Sequence, residues 1–372
     1  MRPTTTLASR AFAVAIFAIF VGPAGAGDNR ARELLMRSFQ HALKVNVRAT
    51  VVHGPRHGHG PETVQVEQTR SGKLRITVVW PESRRGMQTV DDGTKSVTYI
   101  PWRQTLVVQE SPQRDGKNAK RRIELAARNY DLVAEPASFM LGREVVRITA
   151  IPRAEFLPSR RFTLDAETAY VLKQEVLPPG REPDIQFEVT SIEYPTTLDE
   201  PTTNIATSGE TKIRYTNRSP YVPGHGAEAI GFEPIIPKSS LPLGFVVFSV
   251  QINRSERWHS AALRIGDGLV RGTVYEFLPG GEGRERLDGP DATTAESGGV
   301  RFALVADLPE PARRRILDAF LPFPPPPPSA MGFRPELTPR HSSRGTASAY
   351  RAFQLTDRFP SPPPGPLQGQ VN

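Results

Sequence analysis

Period-two alternation of apolar and polar residues dominates positions 46–194. The segments 46–52 (NVRATVV), 63–69 (TVQVEQT), 73–80 (KLRITVVW), 96–100 (SVTYI), 105–109 (TLVVQ), 129–134, 145–151, 160–165, 170–177 and 184–194 are short. They are rich in Val, Ile and Thr, and Gly- and Pro-containing turns separate them. Side chains along a strand point alternately to opposite faces, so each such segment has one apolar side to bury. Leu74, Ile76, Val78 and Trp80 share a side, as do Tyr170, Leu172 and Val176, and Ile185, Phe187 and Val189. About ten or eleven strands in series predict a mainly β (α+β) fold built on a large curved antiparallel half-barrel sheet.

A helix is expected over residues 28–43. Asp28 can cap its N-terminus, and Ala31, Leu35, Phe39 and Leu43, with Leu34 and Ala42, recur on one face. This helix is the natural cover for the concave side of the sheet. One helix of this length cannot fill it, so a partly open apolar cavity suited to a lipid or acyl chain is expected. By alternation its wall candidates are Val64, Val66, Leu74, Ile76, Val78, Trp80, Phe162, Leu164, Tyr170, Leu172, Ile185 and Phe187.

Periodicity fades after residue 195 in a Thr-, Pro- and Gly-rich connection with one candidate strand at 210–215. A second unit follows, with strands at 245–252, 258–265, 269–278 and 299–308. A helix at 310–320 closes it, with Pro311 in the first turn. The tail beyond is Pro-rich, includes the run Pro324 to Pro328, and reads as disordered. The expected organisation is a leader (1–26), a large sheet domain (27–195), a linker (196–240), a smaller antiparallel sheet plus helix domain (241–321) and a tail (322–372).

The leader has the parts of a secretory signal. Arg2 and Arg10 precede an apolar run over 11–21, and Ala24-Gly25-Ala26 forms a small-residue cleavage site. A membrane span needs about 20 apolar residues, so cleavage after Ala26 and an exported, non-spanning protein are expected. The chain has no cysteine. That excludes disulfides, and it also excludes lipid attachment at the cleavage site, which requires a cysteine thiol. The net charge of +8 suits an acidic peptide or an anionic lipid; export argues against nucleic acid.

Catalytic signatures are missing from the sequence. It contains no G-x-S-x-G, P-loop or dinucleotide fingerprint. His53, His57 and His59 lie in HGPRHGHG, but no cysteine or carboxylate beside them completes a metal shell, and the glycines fit a hairpin. Asp91-Asp92 and the pair Glu282 and Glu285 sit in turn-like sequence. The expectation is a binding protein with no cofactor and no metal, rather than an enzyme.

Several phrases together resemble the RseB/MucB family. They are Asn129-Tyr130-Asp131-Leu132, Leu141-Gly142-Arg143-Glu144-Val145 and Ile151-Pro152-Arg153. The hairpin Arg161-Phe162-Thr163-Leu164-Asp165-Ala166-Glu167-Thr168 with Val171-Leu172-Lys173-Gln174-Glu175 and the strand Phe187-Glu188-Val189-Thr190-Ser191-Ile192 follow. A similar hairpin recurs in the lipoprotein carriers LolA and LolB. Three phrases of the second unit resemble RseB/MucB more specifically: Leu241-Pro242-Leu243-Gly244-Phe245, Gly266-Asp267-Gly268-Leu269 and Val305-Ala306-Asp307-Leu308-Pro309. The chain departs from the family in three places. Gly266 stands where the family has Ser, residues 109–129 are short and basic where the family has a partly helical insertion, and the Pro-rich tail is additional.

The resemblance implies a lipoprotein-carrier-like large domain joined to a small C-terminal domain. It implies a periplasmic negative regulator of envelope-stress sigma-factor signalling. Such proteins bind the periplasmic segment of a membrane-spanning anti-sigma factor and shield it from proteolysis until lipid releases it. The alternative is a periplasmic lipid or lipoprotein carrier.

Overall fold

The computed structural model describes residues 26–39, 45–55, 60–111, 117–207, 209–215, 218–237, 240–254, 259–279 and 292–321. Residues 1–25 of the leader, His57, His59, Glu282, Glu285 and the Pro-rich tail lie outside them. Among the described residues, no helix is long and apolar enough to cross a membrane.

The first unit runs α1 (Ala26–Ser38), β1 (Val47–His53), β2 (Glu62–Gln68), β3 (Leu74–Trp80), β4 (Gln88–Asp91), β5 (Lys95–Ile100) and β6 (Thr105–Glu110). It continues with α2 (Lys117–Asn129), β7 (Tyr130–Ala134), β8 (Ser138–Met140), β9 (Arg143–Pro152), β10 (Ser159–Asp165), β11 (Val171–Leu177), β12 (Asp184–Glu193) and β13 (Lys212–Tyr215). These strands form one 13-stranded sheet in the order β13-β6-β5-β4-β3-β2-β1-β12-β11-β10-β9-β7, with β8 also paired to β9. The second unit comprises β14 (Arg218–Pro220), α3 (Gly226–Ile230), β15 (Val246–Arg254), β16 (His259–Gly266), β17 (Arg271–Phe277), β18 (Ala292–Ser297), β19 (Val300–Ala306) and α4 (Glu310–Asp318). Its six-stranded sheet has the order β14-β15-β16-β17-β19-β18, and α4 packs on β18 and β19.

The large open sheet and the smaller antiparallel sheet match the expected class, with four local corrections. First, α1 begins at Ala26, so Asp28 lies within its first turn rather than at the cap. Second, the basic stretch before Asn129 is helical. Ile123, Leu125 and Ala126 of α2 are buried, and Ile123 joins Ala31, Leu34 and Leu35 of α1 over Tyr130, Leu132, Ile148, Phe162 and Leu164. Two helices, not one, cover this part of the sheet. Third, β13 joins the large sheet and runs parallel to β6, which makes the sheet mixed. Fourth, Asp91 does not lie in a solvated turn. It ends β4 fully buried, where Oδ1 and Oδ2 accept the Ser111 hydroxyl at 2.7 and 3.0 Å. Burial pushes its pKa up against those hydrogen bonds.

The sheet must curl. Laid flat at about 4.8 Å per strand, the path from β13 to β7 would span roughly 50 Å. Yet β7 and β10 at one end touch the small unit through Tyr130 and Arg160. At the other end, Tyr215 of β13 is three residues from Arg218 of β14, a reach of about 11 Å. The small unit is therefore docked on one end of the large sheet and joined to the other by a short connection.

The apolar side of the sheet changes across β3 and β4. Ile76 pairs with Thr89, and Thr89 with Thr98, so the face that is aliphatic in β1 to β3 becomes hydroxylic; the two threonine hydroxyls bond at 3.0 Å. On the opposite face Val90, Val97 and Tyr99 form a small core with Leu106 and Val108. Ile205, from the segment that leaves β12, covers them.

Candidate functional site

Cross-strand partners share a face. The pairs Phe162–Gln174, Gln174–Phe187, Phe187–His53, Val51–Val64 and Val66–Ile76 therefore carry one inner face from β10 to β3. Val64, Val66, Leu74, Val78, Tyr170 and Leu172 are buried there in one cluster, with Ile76 and Phe187 half-buried at its margin. Phe162 and Leu164 belong to the neighbouring cluster under the helices. Trp80 and Ile185 differ, being 47% and 36% exposed. Alternation places them inward, but a β-bulge in each case turns them to the opposite face on the rim beside the β1–β2 hairpin: Trp80 pairs with Thr63 where Val78 pairs with Val64, and Ile185 pairs with Glu175 where Phe187 pairs with Gln174. His53 is buried on the same rim, edge-on to the Phe187 ring at 6.0 Å.

A second assembly joins the two units. Asn129, the last residue of α2, donates from Nδ2 to the carbonyls of Gly244 (3.0 Å) and Asp267 (2.8 Å). The next residue, Tyr130, donates its hydroxyl to Asp267 Oδ2 at 2.6 Å. Asp267 Oδ1 accepts the backbone N–H groups of Leu269 (3.0 Å) and Val270 (2.8 Å). From β10, Arg160 donates to the carboxylate of Asp307 at 3.2 Å and to its carbonyl at 3.3 Å. Leu157 and Ala154 of the β9–β10 loop pack into the core of the small unit with Phe232, Leu241, Phe245 and Leu308.

The glycines at this junction follow from close approach. Gly268 has φ +110°, and a Cβ there would lie 2.3 Å from the Ala126 nitrogen and 2.5 Å from the Arg122 carbonyl. Gly244 has φ +76°, and its Cβ would meet the Asn129 amide at 2.3 Å. The departure at Gly266 has a similar cause: a Cβ there would be 2.8 Å from the Phe248 ring, which fills that space.

The junction is densely charged. Asp267 is fully buried; burial raises its pKa, while the Tyr130 hydroxyl and the two backbone donors pull the other way. Burial raises the Tyr130 phenol as well, which keeps the hydroxyl as donor. Burial lowers Arg160. Arg122 lies over the Phe39 ring at 4.1 Å, and burial together with the like charge of Arg271 holds it well below its ordinary value. The chemistry is that of positioning: charge-assisted hydrogen bonds fix one sheet against the other.

Four phrases distant in sequence thus meet in one place: 129–132, 241–245, 266–269 and 305–309. The Arg160–Asp307 pair was not anticipated. The signal for it is an arginine alternating with Phe162 and Leu164 on a buried face, where a charged residue is rare without a partner. Two further phrases build a separate network in the large unit. Asp165 accepts from Arg143, from the Tyr194 hydroxyl (2.9 Å) and from the N–H groups of Glu167 (3.0 Å) and Thr168 (2.9 Å).

No protein-family model matches the chain, and no curated protein matches it in sequence. Solved structures do resemble it. The crystal structure of MucB superposes with a TM-score of 0.50 at 17% identity, over 78% of this chain and 97% of MucB. The structure of the Pseudomonas aeruginosa MucA/MucB complex matches with a TM-score of 0.50 at 16% identity, over 78% of this chain and 97% of the matched chain. The chain has the two-unit fold of MucB.

Proposed function

We propose that this chain is a periplasmic negative regulator of envelope-stress sigma-factor signalling, and that it acts by binding rather than catalysis. Its partner is the periplasmic segment of a membrane-spanning anti-sigma factor. The observation that carries this reading is the two-unit fold of MucB, a protein also solved in complex with MucA. The export signal read from residues 1–26 supports it, because an exported protein reaches a sigma factor only through a partner that crosses the membrane. In this reading the docked units form one composite surface for an extended segment. The inner face senses a lipid at its half-buried margin, Ile76 and Phe187. A lipid releases the partner only if it binds the free form more tightly than the bound form; a hundredfold preference is worth about 2.7 kcal/mol.

Pull-down of the anti-sigma periplasmic segment by the mature chain tests the proposal. Micromolar or tighter binding is expected, and none at that concentration counts against it. A second reading, a lipid or lipoprotein carrier, draws on the exposed apolar side chains of Trp80 and Ile185 at this end of the sheet, suited to a passing acyl chain. Co-purified lipid that transfers to an acceptor, together with no anti-sigma binding, would favour it.

A further inference from the structure

We propose that the outer edge of β13 is a strand-addition site for an extended partner segment that alternates apolar and acidic residues. All four residues of β13 are exposed, so few side-chain contacts hold it; it is fixed by its parallel ladder to β6, which opens with Lys212 N–H donating to the Gln104 carbonyl at 2.8 Å. Along a strand, the backbone groups of alternate residues point to opposite edges. With Lys212 turned toward β6, the N–H and C=O of Ile213 and Tyr215 point away from the sheet. β13 ends the strand order, so among the described residues no strand meets those groups.

The side chains define the sequence that fits. Ile213 pairs with Leu106 and Tyr215 with Val108, so both extend the apolar face formed by Val97, Tyr99, Leu106 and Val108. Ile205 covers the inner part of that face, but Ile213 is 56% and Tyr215 74% exposed. Lys212 and Arg214 lie on the other face, beside Thr105 and Val107. An added strand gains apolar contact on one side and ion pairs on the other only if it alternates apolar with acidic residues. A second copy of this chain does not fit. β13 against β13 would set Lys212 and Arg214 beside their own kind, and like charges across a ladder repel.

This inference deepens the proposed function by naming where the anti-sigma segment would dock and what chemistry it would carry. The test uses the mature full chain and a capped eight-residue peptide alternating valine and glutamate. Binding is read by fluorescence anisotropy, and amide protection by hydrogen exchange. Saturable binding is expected, with new protection at Ile213 and Tyr215. Ile213→Pro removes an outward donor, and K212E/R214E reverses the charge; each should weaken binding about tenfold or more. Unchanged circular dichroism confirms that the variants fold. A peptide of valine and lysine should not bind.

No binding of the valine–glutamate peptide at millimolar concentration, or binding that ignores both variants, overturns the inference. The anti-sigma segment is then tested against wild type and Ile213→Pro. Equal binding to both places the partner elsewhere and overturns the inference while the proposed function stands. Binding to neither, with the peptide result intact, removes the proposed function and leaves the strand-addition site.

Discussion

Tyr130→Phe isolates the bond between the two units. Tyr130 is 1% exposed, and phenylalanine keeps its ring, so no cavity opens. The change deletes only the hydroxyl that reaches Asp267 Oδ2 at 2.6 Å. Asp267 keeps the Leu269 and Val270 N–H groups on Oδ1, but Oδ2 loses its donor inside a fully buried site. A buried acceptor left without its donor costs about 1–3 kcal/mol, and that is the expected loss. Urea unfolding at pH 7 gives the measurement, with Trp80 and Trp102 reporting on the large unit. The bond crosses between units, so weakening it should also separate their transitions. A double-mutant cycle with Asp267→Asn should return a coupling above about 1 kcal/mol. Coupling under about 0.3 kcal/mol would refute the claim that this pair holds the units together.

Gly268→Ala should undock the units, because its Cβ would lie 2.3 Å from the Ala126 nitrogen; a larger radius of gyration by solution scattering and faster proteolysis between the units are the expected readouts. Glu276 of β17 is fully buried with one donor, the Ile235 N–H at 2.9 Å, and burial pushes its carboxyl from 4.5 up to about 8. The folded state thus holds a proton that the unfolded chain releases above pH 4.5, so stability should fall as pH rises from there to about 8 and then level off. A difference of this size is worth on the order of 5 kcal/mol. Glu276→Gln should flatten that part of the thermal-stability profile. Asp165 behaves in the opposite sense: burial raises its carboxyl, but the Thr168 N–H, Arg143 and Tyr194 outweigh that and hold it below 3.8. Its contribution is complete above pH 4 and lost as acid protonates it, so Asp165→Asn should cost about 1–3 kcal/mol at pH 7 and reduce acid sensitivity.

The strand-rich body was legible because its apolar side chains recur with a strict period. Val64, Val66, Leu74 and Val78 landed on the face that their alternation assigns. The helix α4 was legible from Pro311 near its start and from Ile316 and Leu317 on the side that is buried. The helix α2 was not, because only Ile123, Leu125 and Ala126 mark its buried side amid lysines and arginines. Its burial comes from α1 and from the turn at Gly268, contacts that no local pattern encodes. The parallel pairing of β13 was equally hidden, since it depends on a segment that crosses the sheet and is anchored by Ile205. Trp80 and Ile185 show the limit of alternation: a β-bulge beside each, which no apolar pattern marks, turns it to the other face of the sheet. The junction was legible only in pieces. Residues 129–132 and 266–269 were recognisable as phrases, but that Tyr130 meets Asp267 is a property of the folded chain.

The most direct test is equilibrium binding of the chain to the periplasmic segment of a membrane-spanning anti-sigma factor, measured by titration calorimetry. A saturable one-to-one complex of micromolar affinity or tighter is expected, and Gly268→Ala should weaken it by undocking the two units. No heat and no complex at tens of micromolar would contradict the proposed function.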